Sequence, residues 1–277
     1  MNADLHCHST VSDGQFAPAE VARRAHAGGV TLWALTDHDE LGGQREARSA
    51  AEELGMGNLS GVEISVTWAS RTVHIVGLGI DPTNAAALID GLVRTRNGRV
   101  ARAEAIGKEL AKLGIPDAYE GALKFVSNPD MISRTHFARF MVECEHCEFT
   151  QDVFNRYLGD DKPACIGHRW AKLADAVGWI QKAGGEAIVA HPGRYAYTPL
   201  EFDALFAEFI YLGGKAIEVV TGSHTLDQYR EYADVARRFG FEASRGSDFH
   251  APGEGRVDLG TLPPLPSDLK PVWERWL

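Results

Sequence analysis

Several features of membrane, secreted and nucleic-acid-coating proteins are missing from this sequence. It has no run of about 18 apolar residues, so no transmembrane helix is expected, and its first residues resemble no signal peptide. Four cysteines among 277 residues are too few for a disulfide framework. Lys and Arg (28) are outnumbered by Asp and Glu (38), which gives a net charge of −10 and argues against a long duplex nucleic acid as partner. We therefore expect a reduced, cytoplasmic protein with no membrane partner.

What the sequence does contain is an alternation of strand and helix signals. Hydrophobic residues make up 44% of the chain and charged residues 24%, the composition of a folded protein. Predicted strands, separated by predicted helices or short turns, cover residues 2–6, 30–36, 59–66, 72–79, 186–190, 215–220 and 241–245. This rhythm predicts an α/β fold with a largely parallel sheet. A mostly helical stretch interrupts it, so we expect one barrel domain formed by 1–94 and 171–277, with a helical insertion over 95–170 that covers the substrate.

The insertion differs from the rest of the chain in charge. Residues 94–139 contain nine Lys and Arg against five Asp and Glu, a net charge of +4, which leaves −14 for the remainder. A positive insertion above an acidic barrel predicts an anionic ligand between them. The alternative is that the excess positive charge is a solvated helix face.

Residues of the metal-ligand type follow the predicted strands. His6 and His8 stand two apart at the end of the first strand, where a period of two places both side chains on one face. The carboxyl ends of barrel strands build the active site in α/β barrels, and imidazole and carboxylate bind first-row metals. Nine candidates exceed the needs of one ion and suit two or three. They are His6, His8, Asp13, His38, Glu63, His74, His191, Asp248 and His250.

Each of these residues has a simpler interpretation when taken alone. A histidine at a strand end is often just a hydrogen-bonded polar residue, and Glu63 can belong to a buried ion pair. Together they favour a metal centre, because unrelated histidines have no reason to follow strand ends. Cys7 alternates with two ligands and should point into packing, while Cys144 and Cys147 lack the second pair that a structural zinc needs. The remaining histidines are expected at the surface: His26, His146, His168 and His224.

The segments that carry these candidates resemble a known family. DLHCHS, TDHD, GVEIS, HIVGL, AHP and GSDFH are together similar to the PHP (polymerase and histidinol phosphatase) family of metal-dependent phosphoesterases, over about 1–80 and 185–255. The resemblance implies a distorted (β/α)7 TIM-like barrel with a trinuclear metal centre. The insertion and the segment Ser133-Arg134-Thr135-His136 resemble in particular the 3′,5′-nucleoside bisphosphate phosphatases, which are relatives of a 5′–3′ exoribonuclease.

The resemblance also implies how the ligands divide among three divalent ions. One ion would take His6, His8, Glu63 and Asp248, a second would share Glu63 and add His74 and His191, and a third would take Asp13, His38 and His250. Some family members, such as the histidinol-phosphate phosphatases, have His where this chain has Asp13. A carboxylate there favours harder ions over Zn²⁺ and argues against histidinol phosphate as the substrate. Mn²⁺ is the expected metal, with Fe²⁺, Mg²⁺ and Zn²⁺ as alternatives.

The reaction that the resemblance implies is removal of the 3′-phosphate from a small phosphorylated nucleotide. A metal-bridging hydroxide attacks phosphorus in line, and Asp13, His38, Asp248 and His250 are the expected catalytic residues. Guanidinium groups can clamp phosphate in a bidentate manner, and a second phosphate or a base needs its own partners. The expected substrate-binding residues are Arg102, Arg134, Thr135, His136 and Arg194.

Three alternatives remain open at this point. The basic insertion leaves a 5′–3′ exonuclease on short RNA or DNA oligonucleotides as a second hypothesis. An amidohydrolase uses a similar barrel site, but its usual pattern has a bridging carbamylated Lys and a lone final Asp, where this chain has Glu63 and the pair Asp248 and His250. A non-catalytic module, as found attached to polymerases, would be expected to lack ligands that this chain retains.

Overall fold

The computed structural model describes the whole chain, from Met1 to Leu277. Seven strands form one sheet in the order of the sequence. They are β1 (Ala3–Asp4), β2 (Leu32–Leu35), β3 (Gly57–Trp68), β4 (Arg71–Leu78), β5 (Glu186–Val189), β6 (Ala216–Thr221) and β7 (Glu242–Gly246). The sheet curls into a nearly closed barrel, because the backbone N–H of Leu5 donates to the carbonyl of Arg245 (3.0 Å) and that of His8 to Phe249 (2.8 Å).

Ten α-helices accompany the sheet. They are α1 (Pro18–Ala27), α2 (Gln44–Glu53), α3 (Ala86–Arg96), α4 (Arg99–Lys112), α5 (Ala118–Leu123), α6 (Arg134–Glu143), α7 (Thr150–Val153), α8 (Leu173–Lys182), α9 (Pro199–Tyr211) and α10 (Leu226–Phe239). Their ends follow from local chemistry. In α10, for example, the Thr225 side chain accepts the N–H of Gln228, and the helix ends at Gly240, whose φ of 71° is left-handed.

The predicted strands are all present, but the sheet is less parallel than expected. β4 runs antiparallel to both β3 and β5, whereas all other neighbouring pairs are parallel. The reason is the connection between β3 and β4. It consists of Ala69 and Ser70 alone, both at positive φ (45° and 64°), which is a tight hairpin turn. A parallel neighbour would need a crossover of a dozen or more residues.

The insertion has a hydrophobic core of its own. The largest apolar cluster lies between the sheet and its outer helices and includes Phe206 and Phe209. A separate cluster of 15 buried residues, with Ile106 and Phe137 among them, lies within the inserted helices. The division into a barrel and a 95–170 insertion stays a prediction, and separate cores are what such a division should produce. We call residues 95–170 the cap.

None of the ten helices is both long and apolar enough to cross a bilayer.

Candidate metal centre

The nine predicted ligands all lie at one end of the barrel, where the strands deliver them. His6 and His8 follow β1, and Glu63 lies within the long strand β3. His74 lies on β4, where it is paired with Ser65, two residues after Glu63 on β3. The others occupy the loops that follow β1, β2, β5 and β7. The six histidines among the nine each lie within 4.0 Å of a side-chain oxygen of Glu63, Asp13 or Asp248, and these three carboxylates are the remaining members of the set.

Glu63 occupies the middle of this cluster. Its side chain is fully buried. Oε1 lies 2.9 Å from Nδ1 of His74 and 2.9 Å from Nε2 of His191. Oε2 lies 2.9 Å from Nδ1 of His38 and 3.3 Å from Nε2 of His8. Imidazoles therefore approach both carboxylate oxygens, which is the arrangement of a carboxylate that bridges ions.

Two further groups of ligand atoms flank Glu63. Nε2 of His6 and Nε2 of His8 are 3.2 Å apart, and Oδ1 of Asp248 lies 3.5 Å and 3.2 Å from them. On the other side, Oδ1 of Asp13 lies 3.3 Å from Nε2 of His250 and 3.9 Å from Nε2 of His38. The sets compact enough to hold an ion are His6, His8, Glu63 and Asp248; His8, Asp13, His38 and His250; and His38, Glu63 and His74.

The donor atoms fit divalent ions better than they fit one another. Five side-chain atoms of the nine candidates are buried without a hydrogen bond of acceptable geometry: Nδ1 of His8, Oδ1 of Asp13, Nδ1 of His38, Oε2 of Glu63 and Nδ1 of His191. Buried polar atoms are rarely left unsatisfied unless an ion or water completes them. Ligand atoms about 2.1 Å from one ion lie about 3.0–3.4 Å apart at octahedral to tetrahedral angles, and most of the spacings above fall close to that range.

The electrostatics of the cluster point the same way. Burial raises the pKa of Glu63, but the charges of His74, His38 and His6 outweigh it and hold that pKa well below its usual range. Burial lowers the pKa of His8, yet hydrogen bonds to Asp248 and Glu63 raise it to about 10. Ionised carboxylates that hold a proton on His8 create a site that a cation can neutralise, whereas burial, foremost, lowers the pKa of His191 to about 3. Metal binding there must release protons.

Two ligands have strained backbones. His191 has φ 26° and ψ 58°, and Asp248 has φ 55°. A non-glycine residue in such a conformation costs about 1–3 kcal/mol and persists where surrounding contacts fix it, often at functional sites.

Buried carboxylates that are not ligands hold the ligand-bearing loops. Asp37 accepts hydrogen bonds from the Ser9 backbone (2.8 Å) and hydroxyl (2.7 Å) and from the Ser12 hydroxyl (2.6 Å), which fixes the loop that leads to Asp13. Asp39, next to His38, accepts the Ser65 backbone N–H at 2.8 Å. These contacts leave the metal-ligand side chains little freedom.

Sequence reasoning missed Glu218. This glutamate lies in β6, where it is buried (1% exposed). Its Oε1 is 2.8 Å from Nδ1 of His6, and its Oε2 accepts the backbone N–H of His191 at 2.6 Å. A signal was present, because a carboxylate stands inside the apolar strand Ala216–Thr221 just as Glu63 stands inside β3.

The expectation that His224 lies at the surface was wrong. It is 3% exposed, its Nε2 accepts the backbone N–H of Gly193 at 2.9 Å, and its ring stacks on Tyr232. Burial is the main reason that its pKa falls to about 4. His26 and His146 are exposed as expected, and His168 is half-buried. Cys7 points into packing as predicted, within a cluster that includes Trp33.

Of the expected substrate-binding residues, Arg194 and His136 lie beside metal-ligand residues. Nη1 of Arg194 is 3.0 Å from Oδ2 of Asp248. The Ser133 hydroxyl donates to Oδ2 of Asp13 at 2.9 Å, and Nδ1 of His136 accepts the Ser133 backbone N–H at 3.0 Å. Burial, foremost, lowers the pKa of His136 to about 4, so its imidazole is neutral at pH 7.

Arg102 and Arg134 lie deeper in the cap. Nε of Arg102 donates to the carbonyl of Ile166 at 2.8 Å, and Arg134 donates to the carbonyl of Leu158 at 3.0 Å. Burial and the charges of Arg134 and Arg99 lower the pKa of Arg102 to about 9. Thr135 occupies the first turn of α6, where its backbone N–H donates to the Ser133 hydroxyl at 3.2 Å. Neither arginine forms a hydrogen bond or an ion pair with any of the nine predicted ligands.

Comparisons with known proteins identify the relatives of this chain. Residues 4–127 match the model of the PHP domain family. A 3′,5′-nucleoside bisphosphate phosphatase of Chromobacterium violaceum is 49% identical over 98% of this chain and 95% of the relative. A 5′-3′ exoribonuclease of Haemophilus influenzae is 40% identical over 99% of this chain and 98% of the relative.

A solved structure is similar over the same length. It comes from Chromobacterium violaceum and is described as an amidohydrolase with bound sulfate and no metal. It is 48% identical to this chain and superimposes with a TM-score of 0.95, covering 99% of this chain and 95% of the other.

Proposed function

Because this chain belongs to the PHP domain family, we propose that it is a metal-dependent phosphomonoesterase that acts on nucleoside 3′,5′-bisphosphates. It removes the 3′-phosphate and releases the nucleoside 5′-monophosphate. A relative that is 49% identical over nearly the whole chain carries that activity in its name, and a similar structure binds sulfate, which has the shape of phosphate.

The observation that carries the proposal is the position of Glu63. Imidazoles lie within 2.9–3.3 Å of both of its carboxylate oxygens, and two more carboxylates, Asp13 and Asp248, complete the groups on either side. A cluster with this many ionised and neutral donors suits several divalent ions. Such ions, when bound, supply an acidified water as nucleophile and neutralise charge on the phosphoryl oxygens.

The proposed division of ligands differs from the three compact groups in two places: His191 takes the place of His38 beside Glu63 and His74, and His8 is assigned to the first ion. Contacts of His191 support its place, because its Nε2 lies 2.9 Å from Oε1 of Glu63 and 3.4 Å from Nδ1 of His74. His6, His8, Glu63 and Asp248 would hold one ion, Glu63 with His74 and His191 a second, and Asp13 with His38 and His250 a third. His8 and His38 lie close enough to Asp13 and to Glu63, respectively, to be shared. Two of the ligand sets include carboxylate oxygen besides Glu63, which favours Mn²⁺ over Zn²⁺.

The chain's own side chains bind and orient the substrate in this proposal. Arg194, close to Asp248, is placed to clamp the phosphate that is cleaved. Arg102 and Arg134, both half-buried, form a positive region that receives the second phosphate, while Thr135 and the neutral His136 line the pocket. Asp13, His38, Asp248 and His250 surround the position of the reacting phosphoryl group. The four free cysteines favour the cytoplasm as the location.

Exonuclease and amidohydrolase activity are the two alternatives to this proposal. The exoribonuclease of Haemophilus influenzae is 40% identical, and its activity needs room for a chain of phosphates. An amidohydrolase, the description given to the similar solved structure, commonly has a carbamylated lysine as its bridging ligand. In this chain Glu63 belongs to two of the three candidate ligand groups, as a bridging residue would, which supports the proposal of phosphoester cleavage.

The deciding experiment is a phosphate-release assay of the Mn²⁺-loaded protein. Adenosine 3′,5′-bisphosphate, 3′-AMP, 5′-AMP, histidinol phosphate and a 5′-phosphorylated dinucleotide are compared at equal concentration. The proposal expects the highest kcat/KM for the bisphosphate, with 5′-AMP as the product. Nucleotide products are also separated by chromatography, because exonuclease cleavage of the dinucleotide releases nucleoside 5′-monophosphate and no inorganic phosphate. A preference for the dinucleotide with these products would establish the exonuclease, and hydrolysis of none of the five would contradict a phosphatase.

A further inference from the structure

Glu218 lies directly behind two of the metal ligands. Both of its carboxylate oxygens are used, one by each ligand: Oε1 is 2.8 Å from Nδ1 of His6, and Oε2 accepts the backbone N–H of His191 at 2.6 Å. The two histidines come from opposite parts of the chain, after β1 and after β5. Glu218 in β6 therefore joins them through Nδ1 of His6 and the backbone of His191, away from the Nε2 atoms that face Glu63.

We infer that Glu218 is a positioning residue that sets the tautomer of His6 and holds the backbone of His191, so that both imidazoles present a lone pair to the metal ions. The inference rests on the metal centre of the proposed function. It concerns how two ligands are prepared before any ion or substrate arrives.

The tautomer of His6 follows from its two neighbours. An ionised carboxylate can only accept hydrogen bonds, so Nδ1 of His6 must carry the proton that faces Glu218. Nε2 is then left as a lone pair. It points to the place where Nε2 of His8 (3.2 Å) and Oδ1 of Asp248 (3.5 Å) also converge. Carboxylates that hold a ligand histidine in this way are a frequent feature of metal sites.

The backbone of His191 explains the second contact. Its φ of 26° is unfavourable for a residue with a side chain, and its N–H is tied to Glu218 at 2.6 Å. This conformation directs Nε2 of His191 to within 2.9 Å of Oε1 of Glu63. Without the Glu218 carboxylate, the His191 backbone N–H loses the hydrogen bond that holds its φ at this unfavourable value.

Glu218→Gln separates these roles from simple packing. The amide has nearly the same shape, but it offers one accepting oxygen and one donating NH₂. If the oxygen faces His191, the NH₂ faces Nδ1 of His6, which must accept, and the proton moves to Nε2, where the lone pair is needed. If the oxygen faces His6, the NH₂ opposes the His191 N–H. Either orientation disables one ligand.

The first measurement is metal affinity without substrate. Wild type and Glu218→Gln are stripped with chelator and titrated with Mn²⁺ by calorimetry, and bound metal is counted after dialysis. We expect affinity about 10–100-fold weaker in the variant. Glu242→Gln is the matched control. Glu242 is the first residue of β7, at the end of that strand away from Asp248 and His250, and it pairs there with Lys270 (2.7 Å). Glu242→Gln should bind Mn²⁺ like wild type.

The second measurement reads the tautomer itself. Long-range ¹H–¹⁵N spectra of the metal-free wild type, recorded at a pH high enough for the His6 ring to be neutral, should show its remaining proton at Nδ1, with the signal assigned by its loss in His6→Gln. A neutral His6 ring with its proton at Nε2 in the wild type, or Mn²⁺ affinity of Glu218→Gln within twofold of wild type, would overturn the inference. If Glu218→Gln does not fold, the wild-type spectrum decides. Neither measurement uses substrate, so failure of the proposed reaction would leave both results interpretable.

Discussion

The Ser133 hydroxyl donates a hydrogen bond of 2.9 Å to Oδ2 of Asp13, which joins the start of α6 to a predicted metal ligand in the loop after β1. The same hydroxyl accepts the backbone N–H of Thr135 and so caps α6. The helix terminus and the ligand carboxylate are thus fixed by one oxygen atom. Docking of the cap and the geometry of the Asp13 group are coupled.

Ser133→Ala should therefore affect both stability and metal binding. Loss of the N-cap hydrogen bond of α6 is expected to lower the free energy of unfolding by about 1 kcal/mol. The Asp13 side chain also loses a hydrogen bond, which should weaken binding of one Mn²⁺ by about tenfold or more. Calorimetric titration and urea denaturation measure the two effects. Thr198→Ala is the control, because Thr198 caps α9 on the barrel by accepting the Glu201 N–H. Equal Mn²⁺ binding in the two variants would show that Ser133 acts only as the N-cap residue of α6.

Removing a ligand carboxylate should have a larger effect. Oδ1 of Asp248 lies 3.2 Å from Nε2 of His8, and Asp248→Asn replaces its charge by a neutral amide. Mutation of a residue that hydrogen-bonds to a metal ligand lowers activity by up to roughly 100-fold. We expect the rate of phosphate release in Asp248→Asn to fall by more than that, together with the metal content. His191→Ala should behave in the same way. Asp258→Asn, which changes a carboxylate paired with Arg24 on the surface, is the control. Wild-type rates in Asp248→Asn would show that Asp248 is no ligand.

How much of this could be predicted from the sequence depended on the range of the interactions. The close approach of the nine candidate ligands could be predicted because a period of two and the rule of strand ends are local, whereas their role as metal ligands stays a prediction. Glu218 and His224 were missed because their partners, His6 and Gly193, lie 212 and 31 residues away. The antiparallel direction of β4 was also missed, although the two-residue connection at Ala69 and Ser70 does carry that information.

His224 makes the stability of the protein depend on pH. Burial lowers its pKa to about 4 in the folded state, against about 6.5 in an unfolded chain. Between these values the unfolded state binds more protons, so the free energy of unfolding falls as the pH falls. From pH 7 to pH 5 this one group should remove about 2 kcal/mol.

Urea denaturation of wild type and His224→Gln at pH 7 and pH 5, with chelator present, isolates this contribution. The other buried histidines, His136 among them, are unchanged in the variant and cancel in the comparison. We expect the wild type to lose about 2 kcal/mol more than the variant over this interval. Equal losses in the two proteins would mean that His224 is not held neutral by the fold.

The ion pair of Arg139 and Glu254 provides a second link between cap and barrel. Nε and Nη2 of Arg139 lie 2.6 and 2.8 Å from the two oxygens of Glu254, and Arg139 is 7% exposed. Arg139 belongs to α6, and Glu254 follows the ligand His250 by four residues. Since the pair is bidentate and largely removed from water, its coupling should exceed that of a surface pair.

A double-mutant cycle with Arg139→Met and Glu254→Gln measures that coupling. We expect about 1–3 kcal/mol, because either single change leaves a charge behind in a confined site. The exposed pair of Arg238 and Asp203, 2.7 Å apart, is the matched control and should give less than about 1 kcal/mol. If the cap orders the loop of His250, Arg139→Met should also weaken Mn²⁺ binding, whereas Arg238→Met should not. Equal coupling in the two cycles would mean that the cap is held by its apolar contacts, and that Arg139 contributes no more than a surface charge.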